Sequence, residues 1–537
     1  MKFAITRLLM VAFILSAFAT VSSADAADPL PKAPPAPKFT EAERHAELAR
    51  RRAAVAAKMA DNSVLVLFSA EPKLYTNDVD YVYRQENNFY YLTGLKQENA
   101  TLVIAKNGGK VTETLFLPKR VAVREAWEGK MYSREQATQV SGLNTIVDGS
   151  EKDAFLDAVK ARGTFTSKDK SVTISGTPTL YLLLPGSDDD DNGKREFRVE
   201  HEMSKALTEY KVENAQPIFA ELRHVKSPYE LKLLQHAIDI TTEAQLRSMA
   251  MVGRAQWEYE VHAEVEYTFR RRNADFWGYP SIVGCGSNAT TLHYVESQSP
   301  IKKGELLLMD VGAEYEHYTA DVTRTYPVNG KFTKEQAEIY QIVYDAQEAV
   351  AKATKPGTTY IALGGVAREV VRNGLAKVGL ITAPNATYQI MRDGKPFDVP
   401  QASLWNFHGL GHWLGMNVHD VGSYQAPLTA GMVFTNEPGI YIREDALDYM
   451  PDTPANREFK AKIKQAYEKY RTIGVRIEDD MLVTETGVEW MTGKLPRKIS
   501  DIEAFMAKAS KEFNWTSLNT TLPTTVFLDA GIRSRAE

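Results

Sequence analysis

One cysteine stands in 537 residues, which excludes an intrachain disulfide framework wherever the chain resides. That thiol, Cys285, has no histidine nearby in the sequence and reads as a small packing residue rather than a nucleophile. Neither sign of charge dominates: 64 Lys and Arg face 69 Asp and Glu, a formal net charge of −5, with a pI near 6.1. A protein that grips nucleic acid or an anionic membrane surface carries a basic excess, so neither partner is expected. Two basic triplets, Arg50-Arg51-Arg52 and Arg270-Arg271-Arg272, lack interleaved aromatics and read as solvated helix surface. Long apolar runs are missing as well. The best candidate, Leu8 to Val21, falls short of the ~20 residues a bilayer-spanning helix needs. No internal repeat at solenoid spacing is visible.

What is present begins with an export pattern. Lys2 and Arg7 precede the apolar run, and Ala24-Asp25-Ala26 offers a small-x-small cleavage site. Residues 1–26 are therefore expected to be a cleaved signal peptide, giving a secreted or periplasmic protein with no membrane span after cleavage. Five prolines between Pro29 and Pro37 make residues 27–40 a stiff tether that is not expected to join a core. An Ala/Arg/Glu-rich stretch, Glu41 to Lys58, reads as a helix. Short apolar runs follow at Ser63–Ser69, Thr101–Ala105 and Thr112–Pro118, with the aromatic cluster Tyr81 to Tyr91 between them. Strands mixed with helices predict a first α/β domain over 41–215. The acidic run Asp188–Asp191 with Asn192-Gly193 reads as a turn or loop.

A second domain is expected over 222–514, with a tail over 515–537. Ser227-Pro228-Tyr229-Glu230 joins a capping box to a proline at the first helical position. Thr333-Lys334-Glu335-Gln336 opens another helix, which runs to Lys355-Pro356-Gly357. The chemistry lies between and beyond these helices. The run Glu305 to Gly312 is, after its first residue, apolar apart from Asp310, and Thr319 to Thr325 contains Asp321. A hairpin centred on Tyr315-Glu316 sets Asp310 opposite Asp321 on one face. Two opposed carboxylates in a buried sheet need a proton or a cation between them. His408-Gly409-Leu410-Gly411-His412 has the histidine spacing of a helical zinc protease, but its glycines disfavour a helix and no glutamate follows His408. Glu437 in Thr435-Asn436-Glu437-Pro438-Gly439 and Glu478 in Arg476-Ile477-Glu478-Asp479 add two acids in strand-like text. His317, in the proposed turn, reads as surface.

Taken in order, these segments resemble the pita-bread metallopeptidases, in the Xaa-Pro aminopeptidase (aminopeptidase P) and prolidase branch. The resemblance also rests on Tyr83-Arg84-Gln85 with Phe89 to Gly94, on Gly286-Ser287-Asn288 with Leu292-His293-Tyr294, and on Val418-His419-Asp420. It implies an α/β (α+β) chain in which a creatinase/aminopeptidase P-type domain precedes a pita-bread catalytic domain. It implies two divalent metal ions, Mn²⁺ first with Co²⁺ or Zn²⁺ possible, held by five ligands. Asp310 would be bidentate to one ion, Asp321 and Glu478 would bridge both, and His412 and Glu437 would complete the set. The activity implied is hydrolysis of the N-terminal Xaa-Pro bond by a metal-bridged hydroxide, with Glu437 moving the proton. His293, His408 and His419 would contact substrate carbonyls and the tetrahedral intermediate, and Arg476 and Tyr441 would neutralise the surrounding charge. A peptide with proline second is the implied substrate, and a homo-oligomer, dimer or tetramer, the implied assembly. A prolidase acting on Xaa-Pro dipeptides and an inactive peptide-binding module are the alternatives. His412-Trp413-Leu414-Gly415 and the long Glu437–Glu478 insert favour the aminopeptidase.

Overall fold

The structure is a computed structural model that describes residues 30–187, 190–207 and 210–513. The expected signal peptide and C-terminal tail lie outside the described residues. The first helix, α1 (Glu41–Lys58), starts where its sequence says it should, because Thr40 and Glu43 close a capping box. Beyond it a six-stranded sheet forms from β1 (Ser63–Phe68), β2 (Thr101–Asn107), β3 (Lys110–Leu117), β4 (Ile146–Asp148), β5 (Thr179–Leu182) and β6 (Lys211–Asn214). Its order is β6-β5-β1-β2-β3-β4. The β1–β2 and β2–β3 pairs are antiparallel and the outer pairs parallel. Strand β1 is buried along its whole length, which explains its unbroken apolar text.

Two expectations fail in this region for related reasons. Arg51 and Arg52 are only 4% and 2% exposed, not solvated. They lie against α2 (Asn87–Thr93), whose last carbonyls have no partner within the helix. Arg51 donates to Tyr91 O at 3.1 Å and Arg52 to Leu92 O at 2.9 Å, while Glu47 and Glu113 supply counter-charge. The proline tether does reach a core. Leu30 is 5% exposed within the main apolar cluster, Ala33 N donates to Glu243 Oε2 at 2.7 Å, and Phe39 stacks on Tyr229 at 3.9 Å. Asp188 and Asp189 of the acidic run lie outside the described residues; Asp190 caps a short helix, Asp191–Glu196, which takes in Asp191, Asn192 and Gly193.

After α3 (Gln216–His224) comes α4 (Pro228–Met251), capped as its sequence predicts by Ser227 and Glu230. Helix α4 is buried on nearly every face from Leu233 onward, so it must be covered all round, and the tether supplies one of those covers. It packs with α5 (Glu258–Arg271) and α6 (Lys334–Ala353) around small antiparallel sheets. One sheet runs β7 (Ile282–Cys285), β8 (Leu306–Val311) and β11 (Val322–Pro327), with β8 central. Between β8 and β11 the chain makes β9 (Ala313–Tyr315) and β10 (Tyr318–Thr319). A second sheet pairs β12 (Val433–Asn436) with β15 (Asp479–Val483), and β13 (Gly439–Tyr441) pairs with β14 (Gly474–Arg476). Cys285 is buried, its burial pushing the thiol up to about 12. No helix among the described residues is long and apolar enough to cross a membrane.

The hairpin between β8 and β11 turns one residue later than expected. Glu316 and His317, not Tyr315 and Glu316, are its loop, and both have positive φ. Such a tight turn needs that backbone twist, usually signalled by Asn or Gly, and neither residue announces it. His317 is 1% exposed rather than on the surface. Its ring stacks on Tyr90 at 3.9 Å, its Nδ1 lies 3.1 Å from Asn87 Oδ1, and burial holds it well below the ordinary histidine value.

Candidate active site

Four carboxylates reach one cleft because the strands that carry them are interrupted. Asp310 projects from β8, paired with Ile282 on one side and Thr323 on the other. Asp321 lies in the break before β11, Glu437 in the break between β12 and β13, and Glu478 between β14 and β15. Breaks release the side chains but leave backbone carbonyls in want of donors. Two helical glutamines meet that need. Gln245 of α4 places Nε2 3.2 Å from Met309 O and 2.8 Å from Val322 O. Gln347 of α6 places its own 3.0 Å from Asn436 O and 3.1 Å from Ile477 O. Sequence reasoning passed over both, although a lone amide on an apolar helical face was the available signal.

Asp310 opposes Thr323, so the expected direct pairing with Asp321 is off by two residues. A slip of two keeps both carboxylates on the same face, because side chains alternate with period two. Tyr279, also passed over, has its hydroxyl 2.6 Å from Asp310 Oδ1 and 2.6 Å from Asp321 Oδ1. One hydroxyl hydrogen serves one of them at a time.

His412 is held against β12 by a reciprocal pair: its N donates to Thr435 Oγ1 and its O accepts from Thr435 N, each at 2.9 Å. Its Nδ1 lies 3.0 Å from Trp413 O. A carbonyl can only accept, so Nδ1 carries the proton and Nε2 faces the cleft as a ligand atom. That Nε2 is 3.2 Å from Asp321 Oδ2 and 3.4 Å from Glu437 Oε1. Asp321, His412 and Glu478 each offer one ligand atom within 4.8 Å of the others. Arg476 donates to Asp310 Oδ2 at 2.6 Å, to Tyr441 Oη at 2.8 Å and to Thr323 Oγ1 at 3.1 Å. Thr323 donates in turn to Glu478 Oε2 at 2.6 Å. Tyr441 closes the chain at His408 Nε2, 2.9 Å away.

The charges do not balance. Burial is the largest influence on Asp310 and penalises its ionised form, yet Arg476 and the Tyr279 hydroxyl together hold this carboxyl below its usual value. Burial and the neighbouring Asp310 raise Asp321, and burial with Asp321 and Glu437 raises Glu478 well above the carboxylate range. Glu437 is pushed up to about 7, mainly by burial. His412 rises to about 9 despite its burial, because Asp321 and Glu437 face it. The cluster holds protons where it lacks cations, which is the electrostatic signature of a place for divalent ions. Oxygen donors with one imidazole suit hard or borderline metals.

The cleft has a volume of about 540 Å³ and takes in all the metal candidates with His293, His408, His419 and Arg476. Tyr441 lies behind it through Arg476 and His408. Ile282, Leu292, Val418 and Tyr424 give it an apolar side. His408 and His419 are held near 4, burial being the first cause in each, so both are neutral at pH 7.

Residues 48–166 match the aminopeptidase P N-terminal domain, and residues 232–485 match metallopeptidase family M24. The Xaa-Pro aminopeptidase of Haemophilus influenzae is 35% identical over 464 residues, 86% of this chain and 97% of that protein. The Xaa-Pro aminopeptidase of Escherichia coli is 33% identical over 479 residues, covering 87% and 98%. A solved structure of zinc-substituted Escherichia coli aminopeptidase P in complex with product superposes with a TM-score of 0.70 at 30% identity. That superposition covers 88% of this chain and 99% of the other. With that likeness spanning both domains, the chain belongs to metallopeptidase family M24, in its aminopeptidase P branch.

Proposed function

We propose that this metalloaminopeptidase removes the first residue of peptides whose second residue is proline, using Asp310, Asp321, His412, Glu437 and Glu478 to hold two divalent ions, Mn²⁺ by preference. The observation that carries the reading is the charge imbalance of those five side chains in one cleft. The relatives named above, called Xaa-Pro aminopeptidases, supply the substrate class. When bound, the ions would polarise the scissile carbonyl and acidify the attacking water.

The chain's own residues do the rest. Glu437 accepts the proton of the attacking water. The water oxygen bonds to the carbonyl carbon, and collapse of the tetrahedral intermediate breaks the C–N bond. Glu437 returns the proton to the proline nitrogen, which leaves as a secondary amine. His293 and His419, exposed at the cleft, donate hydrogen bonds to substrate carbonyl oxygens. His408, fixed between Gly409 O and Tyr441, lines the same wall and keeps Tyr441 and Arg476 directed at Asp310.

We propose further that residues 41–215 and 222–514 are its two domains, a division supported by a first sheet ending at Asn214 and the separate small sheets beyond. Export through a cleaved signal over 1–26, to the periplasm or outside, is supported by the sequence pattern alone. A homo-oligomer is supported by the exposed Leu74, Tyr75, Tyr81, Val82, Val123 and Trp127; light scattering on the purified protein tests it. The activity is tested with a Mn²⁺-loaded preparation offered an Xaa-Pro-Xaa tripeptide and an Xaa-Pro dipeptide, with and without chelator. Chelator-sensitive cleavage of the tripeptide, with the dipeptide slow, supports the aminopeptidase. Rapid cleavage of the dipeptide alone makes it a prolidase, and turnover of neither removes the proline specificity.

A further inference from the structure

The segment that carries His412 and His419 is regular only at its start. Trp413 bridges to Phe434, but residues 414–420 form no helix or strand. Within them the backbone makes few bonds of its own, from Gly415 N to Asn417 O at 3.2 Å and from Asp420 N to Trp413 O at 2.9 Å. The start of the segment is also tied to neighbouring strands, Leu414 N to Val433 O at 3.0 Å and Thr319 N to Gly415 O at 2.9 Å, and the rest is restrained by side chains. Met416 O accepts from Arg84 Nη2 at 3.0 Å and from Asn87 Nδ2 at 3.2 Å. Arg223, on α3, places Nη2 2.6 Å from both Asn417 Oδ1 and Asp420 Oδ1. Its Nη1 donates to Asn88 Oδ1 at 2.8 Å. Lys226 donates to the other oxygen of Asp420 at 3.1 Å. Gly415 passes so close under this carboxylate that a Cβ there would collide with it.

We propose that Arg223, braced by Asn88 and assisted by Lys226, is a positioning residue for His419: through Asp420 it lets the first domain set where the loop histidine stands over the cleft. The inference rests on the reading of His419 as a substrate contact. Arg223, Lys226 and Asp420 are all buried. Apolar side chains of similar volume could hold such a junction with equal or greater stability. What a fork of hydrogen bonds adds is a fixed direction for the acceptor it grips. Asp420 is bonded directly to His419 in the chain, and the His419 ring sits 4.2 Å from that of His412. A swing of Asp420 therefore moves His419 relative to the bound peptide. Thr435, which fixes the His412 backbone, takes no part in that swing; the link back to His412 is Trp413 O, which meets both Asp420 N and His412 Nδ1, so metal content is read alongside turnover.

The test is a double-mutant cycle on the full-length, metal-loaded protein. Arg223→Met is expected to lower kcat/KM for an Xaa-Pro-Xaa tripeptide roughly 30-fold, inside the hundredfold that a 1 Å misplacement costs. Metal content per chain stays at the wild-type level, and Arg223→Lys recovers part of the loss. In a His419→Ala background the same Arg223→Met change should cost less than about threefold, because residues acting through one group are not additive. Hydrogen exchange supplies a readout independent of turnover: amides of 414–421 exchange about tenfold faster in Arg223→Met, while those of β8 and β15 do not change. If Arg223→Met fails to fold, Asn88→Ala carries the same cycle, since it removes one acceptor and keeps every charge. Independent, multiplicative losses in the two backgrounds, or wild-type exchange in the loop, would overturn the proposal. A wild-type protein that cleaves no proline peptide fails the functional reading, whereas the exchange experiment still decides the clamp.

Discussion

Two clusters of buried charge in this chain are settled in opposite ways. At the junction of the domains three carboxylates meet a cation of the chain: Asp420 faces Arg223 and Lys226, and Glu47 with Glu230 faces Arg51. In the cleft, Arg476 answers Asp310, and Asp321, Glu437 and Glu478 are left facing one another and His412. The consequences diverge accordingly. Asp420 lies below the ordinary carboxylate value although burial opposes it, as Asp310 does beside Arg476, whereas Asp321, Glu437 and Glu478 rise. Burial is common to both, so burial alone does not mark a site. A missing counter-charge does.

The largest effect expected from breaking this contrast is at the cleft. Stripping metal with a chelator, or Asp321→Asn, should lower tripeptide turnover on the order of a thousandfold, the equivalent of about 4 kcal/mol of lost charge stabilisation. Steady-state assays before and after Mn²⁺ is restored check it: the stripped wild type recovers and Asp321→Asn does not. Next in size is a junction variant. Arg51→Met uncovers Glu230 and should cost about 3–5 kcal/mol in denaturant unfolding, as expected when one partner of a buried pair is removed. Metal content should stay constant.

A subtler variant sharpens the comparison by its sign. Glu478→Gln removes a carboxyl that must take up a proton to be buried without metal, so it should raise the melting temperature of the metal-free protein while lowering that of the Mn²⁺-loaded one. A junction substitution lowers both.

The smallest expected effect is a slope with pH. In the metal-free protein Glu437 moves from 4.5 to about 7 and His412 from 6.5 to about 9. A group whose folded value is raised stabilises below its unfolded value and loses that contribution as pH rises through the folded one. Metal-free stability should therefore decline between about pH 6.5 and 9, whereas below 6.5 His408 and His419, held near 4, contribute a rise of the opposite sign. Asp420, displaced downward, contributes fully across that window and adds no slope. Thermal melts at a series of pH values, with and without Mn²⁺, should show the decline only without metal.

Much of this was legible in the sequence where chemistry and local rules coincide. The ends of α1, α4 and α6 follow from their capping boxes. The acids and histidines of the cleft stood out because carboxylates in apolar strand text need a reason to be there. What the sequence hid depends on partners far along the chain. Arg51 and Arg52 look like surface until the carbonyl end of α2 is placed beside them. His317 looks like a turn tip until Tyr90 covers it. The tether looks unable to pack until α4 proves buried on nearly every side and needs a cover. Tyr279, Gln245 and Gln347 satisfy groups that exist only once the strands are broken in the right places.

The most direct measurement is a calorimetric titration of chelator-stripped protein with Mn²⁺, alongside tripeptide hydrolysis at each addition. Two ions per chain, with activity rising as they bind and neither binding nor activity in Asp321→Asn, is the result expected if the cleft is short of two cations. The absence of saturable binding, or full activity in the stripped protein, would contradict it.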